Sequence, residues 1–139
     1  GLTGGSMLQM IELGENFITD VGAIAIGSVL PRMSAELKVI SLHNNRIGKR
    51  GILAIRKGIQ YNVSLEEIGL GFSYGIDEEI LICKINHILK LNWAGRRMLT
   101  ESSSSDAIWV NVLERIINQP DCIYFFLREK PNLIQSKRS

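Results

Sequence analysis

His43 stands two places after Ser41, and Glu12 and Glu67 occupy matching places in stretches of similar sequence on either side. A base, a hydroxyl and carboxylates are the parts of a hydrolytic triad. No nucleophile elbow or oxyanion arrangement accompanies them, so His43 is expected to be a solvated surface histidine. Gly69-Leu-Gly71-Phe-Ser-Tyr-Gly75 has the glycine spacing of a phosphate-binding loop. Asp77, Glu78 and Glu79 follow it, however, and would repel an anion from the helix start they occupy. His87 lies four residues after Cys83, a spacing that puts both on one helical face, but two ligands do not make a zinc site. Arg96 and Arg97 can clamp a carboxylate or phosphate; just past a helix C-terminus they are expected instead to meet its dipole. Ser102, Ser103, Ser104 and Ser105 offer hydroxyls for phosphorylation in what reads as a plain linker. No catalytic residue, metal or cofactor is expected.

The elements that position these residues come from a repeat. Moved by 29 places, Leu8–Leu30 falls on Leu37–Ile59, pairing Leu8 with Leu37, Ile11 with Ile40, Leu13 with Leu42, Asn16 with Asn45 and Ile18 with Ile47. Further on, Gly22 pairs with Gly51, Ala25 with Ala54, Ile26 with Ile55 and Leu30 with Ile59. LxxLxLxxN at the head of a period in the twenties predicts a strand followed by a helix. Strands are expected at 11–13, 40–42 and 68–70, side by side and parallel. Ile11, Leu13, Ile40 and Leu42 turn inward and Glu12 and Ser41 outward, because side chains alternate along a strand. Asn16 and Asn45 end their strands and are expected to form a short ladder satisfying backbone groups at the turn. Thr19 stands where a helix N-cap would stand, with Asp20 in the first turn. The small Gly22/Gly51 and Ala25/Ala54 pairs mark a close approach of helix and strand layers.

A third unit begins at Leu65, Ile68 and Leu70 and then departs: Ser73 replaces the asparagine, Ile76 comes one place late, and Lys84 falls near the place of the small alanine. Its helix is expected from about Asp77 to Leu91. Terminal units of a solenoid are atypical because their outer face meets water or a cap. Residues 1–92 therefore read as about two and a half to three repeats. Residues 93–105 read as a turn and serine-rich linker, 106–131 as a cap of two helices stopped by Pro120 and Pro131, and 132–139 as a disordered tail. In the cap, Ile108, Trp109, Val112, Leu113, Ile116 and Ile117 make one stripe, continued by Ile123, Phe126 and Leu127. The expected fold is α/β, a solenoid with parallel strands on its concave side, helices on its convex side and a helical cap. A solenoid strand offers an open edge to whatever precedes it, so further repeats are expected ahead of residue 1.

Composition narrows the classes of partner. A net charge of +2 with both signs interspersed leaves no footprint for nucleic acid, and no run of eighteen apolar residues exists to span a membrane. Cys83 and Cys122 are solitary, read as small core residues, and suit a reduced, cytoplasmic setting.

These residues resemble the ribonuclease-inhibitor-like class of leucine-rich repeat proteins, over Leu8 to about Leu91. NOD-like receptors and Ran GTPase-activating proteins carry repeats of this kind. The tail, LNWAGRRML with IWVNVLERI and YFFLREKPNL, is also similar to C-terminal tails on repeat proteins of diatoms and related algae, which implies no function. The resemblance implies a non-catalytic scaffold that binds a protein ligand on its strand face: Gln9, Met10, Glu12, Gly14 and Glu15, then Lys38, Val39, Ser41, His43 and Asn44, then Glu66, Glu67, Gly69, Gly71 and Phe72. The other reading open to the sequence puts the binding repeats upstream. Alternatives of a different class are a Ran-directed GTPase activator, whose acidic tail is replaced here by Lys137-Arg138, and the regulatory repeats of a receptor-like ATPase.

Overall fold

Hydrophobic rungs at a fixed interval produce a short parallel sheet. In the computed structural model, which describes residues 8–71, 74–99 and 106–129, β1 (Met10–Glu12), β2 (Val39–Ser41) and β3 (Glu67–Gly69) lie in that order. Both pairs are parallel, and Ile11, Ile40 and Ile68 fall opposite one another. Each strand sits one residue earlier than expected, while the parity of its side chains holds: Ile40 and Leu42 are buried and Ser41 between them is half-buried. The ladder continues beyond the strands, where Leu13 N–H donates to the Ser41 carbonyl and Glu15 N–H to that of His43.

A helix follows each strand: α1 (Asp20–Val29), α2 (Lys49–Ile59) and α3 (Ile76–Ala94). Together with α4 (Asp106–Arg115) and α5 (Pro120–Glu129) they make an α/β chain with five α-helices among the described residues and an open, three-stranded sheet. None of the described helices is long and apolar enough to cross a membrane. Pro31 does not stop the first helix outright; it sits in a 3-10 turn, Leu30–Arg32, that adds three residues before Met33 becomes extended. The third helix runs past Leu91 to Ala94 and ends at Gly95, whose φ of +113° is open to glycine at low cost.

Contacts divide the chain into two units, Gly1–Leu89 and Lys90–Ser139. The core of the first is aliphatic: Leu37, Ile40, Leu42, Ile47, Ile52, Ile55, Ile59, Leu65 and Ile68 are all buried, and Ile85 and Leu89 of α3 join them. Small residues do come close, but between helices rather than between helix and strand. A side chain added at Gly27 would strike the Ala54 carbonyl, and one at Gly58 the Gly27 carbonyl. Ala25, given a role in a helix-to-strand contact by the repeat, is exposed; Ala23 is the buried alanine.

In the second unit Trp109, Val112, Ile116, Cys122 and Phe126 are buried with Leu91 and Ala94. Trp109 and Phe126 meet edge to face at 5.8 Å. The stripe of α4 is shorter than expected, because the helix ends at Arg115 and leaves Ile117 exposed. Pro120 opens α5 instead of closing α4: it takes the first helical position, where its missing N–H costs nothing.

Candidate functional site

The turn after each strand decides what the strand face can present. Glu15 and Asn44 hold the same register and both have left-handed backbone, φ +58° and +55°. This conformation is uncommon outside glycine, so its recurrence marks the same turn built twice. Ahead of the strands, the Gln9 carbonyl accepts from Lys38 N–H and Val39 N–H, and the Lys38 carbonyl accepts from Glu66 N–H and Glu67 N–H. Gln9 and Lys38 thus lie at the entrance to the sheet.

Across the strands the exposed positions form rows. Met10, Val39 and Glu67 make one, and Glu12, Ser41 and Gly69 the next. Gly14, His43 and Gly71 continue the register at the strand ends. Glycine at 14 gives the imidazole its room: a side chain there would run into the His43 ring, whereas one at Gly71 would only touch His43 Cα and Cβ at ordinary contact distance. Ser41 Oγ is 2.6 Å from His43 Nδ1, and Glu12 Oε1 is 3.7 Å from the same nitrogen while accepting Gly14 N–H at 2.8 Å. His43, Ser41 and Glu12 therefore do come together. A relay needs the hydroxyl on one ring nitrogen and the carboxylate on the other. Here both approach Nδ1. The arrangement holds the ring in place as a half-exposed polar and aromatic surface, and Glu67, one row away, takes no part in it.

The asparagine ladder is uneven. Asn45 Nδ2 donates to the Leu13 carbonyl of the preceding turn and the Leu42 carbonyl of its own, and its Oδ1 accepts Ile18 N–H. Asn16 donates only within its own turn, to Leu13 and Gly14. Two further polar ties across the repeat were not foreseen. Asp20 Oδ1 accepts Gly48 N–H and Gly51 N–H, so the acid expected to serve its own helix caps the next one. Thr19, at the N-cap of α1, makes no side-chain bond there. Buried Asn62 donates to the Leu30 carbonyl and accepts Ser64 N–H and Leu65 N–H, stitching the end of the second turn to the first. Its position just past a helix was the available signal.

Asp77, Glu78, Glu79, Cys83 and His87 belong to α3 and not to the strands. Asp77, Glu78 and Glu79 do open α3, and burial with Glu78 and Glu79 nearby pushes the Tyr74 hydroxyl above the usual tyrosine range. Phe72 and Ser73 of the glycine-rich stretch lie outside the described residues, as do residues 1–7, the serines at 102–105 and the tail. Cys83 is exposed, contrary to its reading as a core residue, because it falls on the outer side of α3. Cys122 is buried, and desolvation raises its thiol pKa. His87 is half-buried, and no group of three metal-binding side chains occurs among the described residues. Arg96 is buried and donates from Nε to Asn92 Oδ1 at 2.8 Å, a side-chain partner in the last turn of α3. Trp93 belongs to α3 and is half-exposed.

Comparison of the chain with protein-family models, with curated proteins and with solved structures gives no match.

Proposed function

We propose that the first unit is a run of leucine-rich-repeat coils of the ribonuclease-inhibitor-like kind, a non-catalytic scaffold that offers its concave strand face to a protein ligand. One observation carries the reading. Three strands in register present a mixed row of half-exposed side chains with the His43 ring at its end, set against the bare Gly14. An extended face of this sort suits a protein surface better than a small molecule. The recurring left-handed turn at Glu15 and Asn44 supports the repeat itself. Free thiols at Cys83 and Cys122 fit a reducing, cytoplasmic setting.

The test is capture of binding proteins by the immobilised chain, followed by affinity measurement with each captured protein. Glu12→Ala, Ser41→Ala and His43→Ala together should weaken a ligand of this face at least about tenfold, the loss of one central contact of about 1.4 kcal/mol. Arg128→Ala in the second unit should leave it unchanged. Unaltered affinity in the triple variant would move the binding surface elsewhere. In a GTP-hydrolysis assay with a Ran-type GTPase, no stimulation is expected.

A further inference from the structure

The outer rows of α1 and α2 differ in chemistry although they hold the same registers. On α1 the row is Val21, Ile24 and Ser28, spaced so that all three share one helical face, with Phe17 ahead of it and Arg32 beyond. The residues 29 places on are Arg46, Arg50, Leu53, Lys57 and Tyr61, and every one of these ten is exposed. A mostly apolar row thus lies beside a mostly basic one, since the Gly27 and Gly58 backbones bring the two helices together. Between their C-terminal halves is an open groove of about 320 Å³, floored by Gly27, Ala54 and Gly58 and edged by Ile24, Lys57 and Tyr61. The cations are not balanced locally. Asp20 is the one carboxylate on α1 and α2, and it is taken up by the Gly48 and Gly51 N–H groups. Arg46 stands 4.9 Å over the Phe17 ring, so charge and apolar surface adjoin at the start of both rows.

The partner that fits is anionic and apolar at once. A second copy set face to face on this surface would bring Arg50 and Lys57 against their own kind. A helix-binding groove recesses its apolar contacts. Here the largest ones stand out, Phe17 at 77%, Val21 at 78% and Tyr61 at 71% exposure. We propose that the outer face of α1 and α2 docks on the surface of an anionic phospholipid bilayer. Phe17, Val21 and Ile24 enter the headgroup region, where apolar side chains leave water without a spanning segment. Arg32, Arg46, Arg50 and Lys57 meet the lipid phosphates and carboxylates around them. Tyr61 sits at the boundary, its ring toward the groove and its hydroxyl toward water. This face lies on the helix side of the first unit, and the proposal rests on no ligand of the strand face.

The experiment sediments the full chain with phosphatidylcholine vesicles, with and without about one-third phosphatidylserine. Binding to the anionic vesicles should be at least about tenfold tighter, and raising salt from about 0.1 to about 0.5 M should remove most of that advantage. Arg50→Glu with Lys57→Glu should weaken it at least about tenfold. Arg115→Glu with Arg128→Glu, an equal change of net charge in the second unit, should stay within about twofold. Val21→Gln with Ile24→Gln should weaken binding at least about fivefold, the apolar share of the contact. Glu12→Ala, Ser41→Ala and His43→Ala together should leave vesicle binding unchanged, which separates this test from that of the strand face. Thermal melts check that each variant folds, and the salt series on the native chain decides the charge requirement even where one does not. Equal affinity for neutral and anionic vesicles, no affinity for either, or equal losses from the two charge reversals would overturn the proposal. So would capture of a helical peptide of Glu and Leu through Arg50 and Lys57 without vesicle binding, which assigns the face to a protein. Self-association in light scattering that Val21→Gln abolishes would assign it to a second copy and overturn it as well.

Discussion

The first and second coils share a sequence pattern, yet the same residue types live in different surroundings. Ile55 is fully buried while Ile26, its counterpart, is partly so. Gly58 is pinned against the Gly27 backbone while Val29, in the same register, is 38% exposed. α2 sets Lys49, Arg50 and Lys57 toward solvent, with Leu53 its one exposed large apolar side chain; α1 exposes three, Val21, Ile24 and Val29. A repeat pattern thus specifies which side chains are aimed inward, but burial depends on having a neighbour on each side.

The largest effect should come from removing the aliphatic rungs. Ile55→Ala should destabilise the first unit by about 2–5 kcal/mol, because a wholly enclosed site leaves a cavity. Ile26→Ala should cost clearly less, as solvent and side-chain relaxation already reach that position. Denaturant unfolding of both variants checks the pair, and equal losses would mean that the two coils are packed alike.

Next in size is the glycine contact. Gly58→Ala gains about 1 kcal/mol of helix propensity, but the added methyl meets the Gly27 carbonyl, and separating two helices costs roughly 1–3 kcal/mol. A net loss in melting temperature is expected. Val29→Ala touches nothing comparable and should shift stability by less than about 1 kcal/mol. A stabilising Gly58→Ala would show that α1 and α2 have slack between them.

The asparagines sharpen the contrast at a smaller scale. Asn45→Ala would strand the Ile18 N–H and one bond to the Leu13 carbonyl, at a cost of about 1–3 kcal/mol. Asn16 is exposed and bonds only nearby carbonyls that water can serve, so Asn16→Ala should stay within about 0.5 kcal/mol. Comparable losses in thermal melts would remove the distinction between a bridging and a solitary asparagine.

Periodicity made the parallel sheet and its inward residues legible, since Ile11, Ile40 and Ile68 fall into register wherever the repeat length does. It also brought His43, Ser41 and Glu12 to one face. What it left hidden were contacts whose partners lie a full repeat away and depend on backbone groups. Asp20 reads as a first-turn acid because local pattern knows only its own helix. Gly27, absent from the aligned pairs, is required by Gly58 and by the Ala54 carbonyl, and neither relation leaves a mark on sequence spacing. The approach of both Glu12 and Ser41 to one nitrogen of His43 depended on ring orientation, set by the bare glycine at 14. Cys83 misled for a related reason: the long third helix keeps an apolar composition on faces that do not all meet the core.

The smallest expected difference lies between Asp20 and Lys49, which hold the same register in successive coils. Asp20 gives one oxygen to two backbone N–H groups at the start of α2. Lys49 reaches Asp77 at 3.1 Å with both side chains more than half exposed. A capping carboxylate does work that water does less well, because it meets two N–H groups that have no partner inside their own helix and sits at the positive end of that helix's dipole. Asp20→Ala should therefore cost about 1 kcal/mol. An exposed ion pair gains little after side-chain ordering and screening, so Lys49→Ala should cost less than about 0.5 kcal/mol and approach zero as salt rises. Asp20→Asn, which keeps an acceptor but not the charge, should fall between Asp20→Ala and the native chain. If it matched Asp20→Ala instead, charge rather than hydrogen bonding would be what ties the first coil to the second helix.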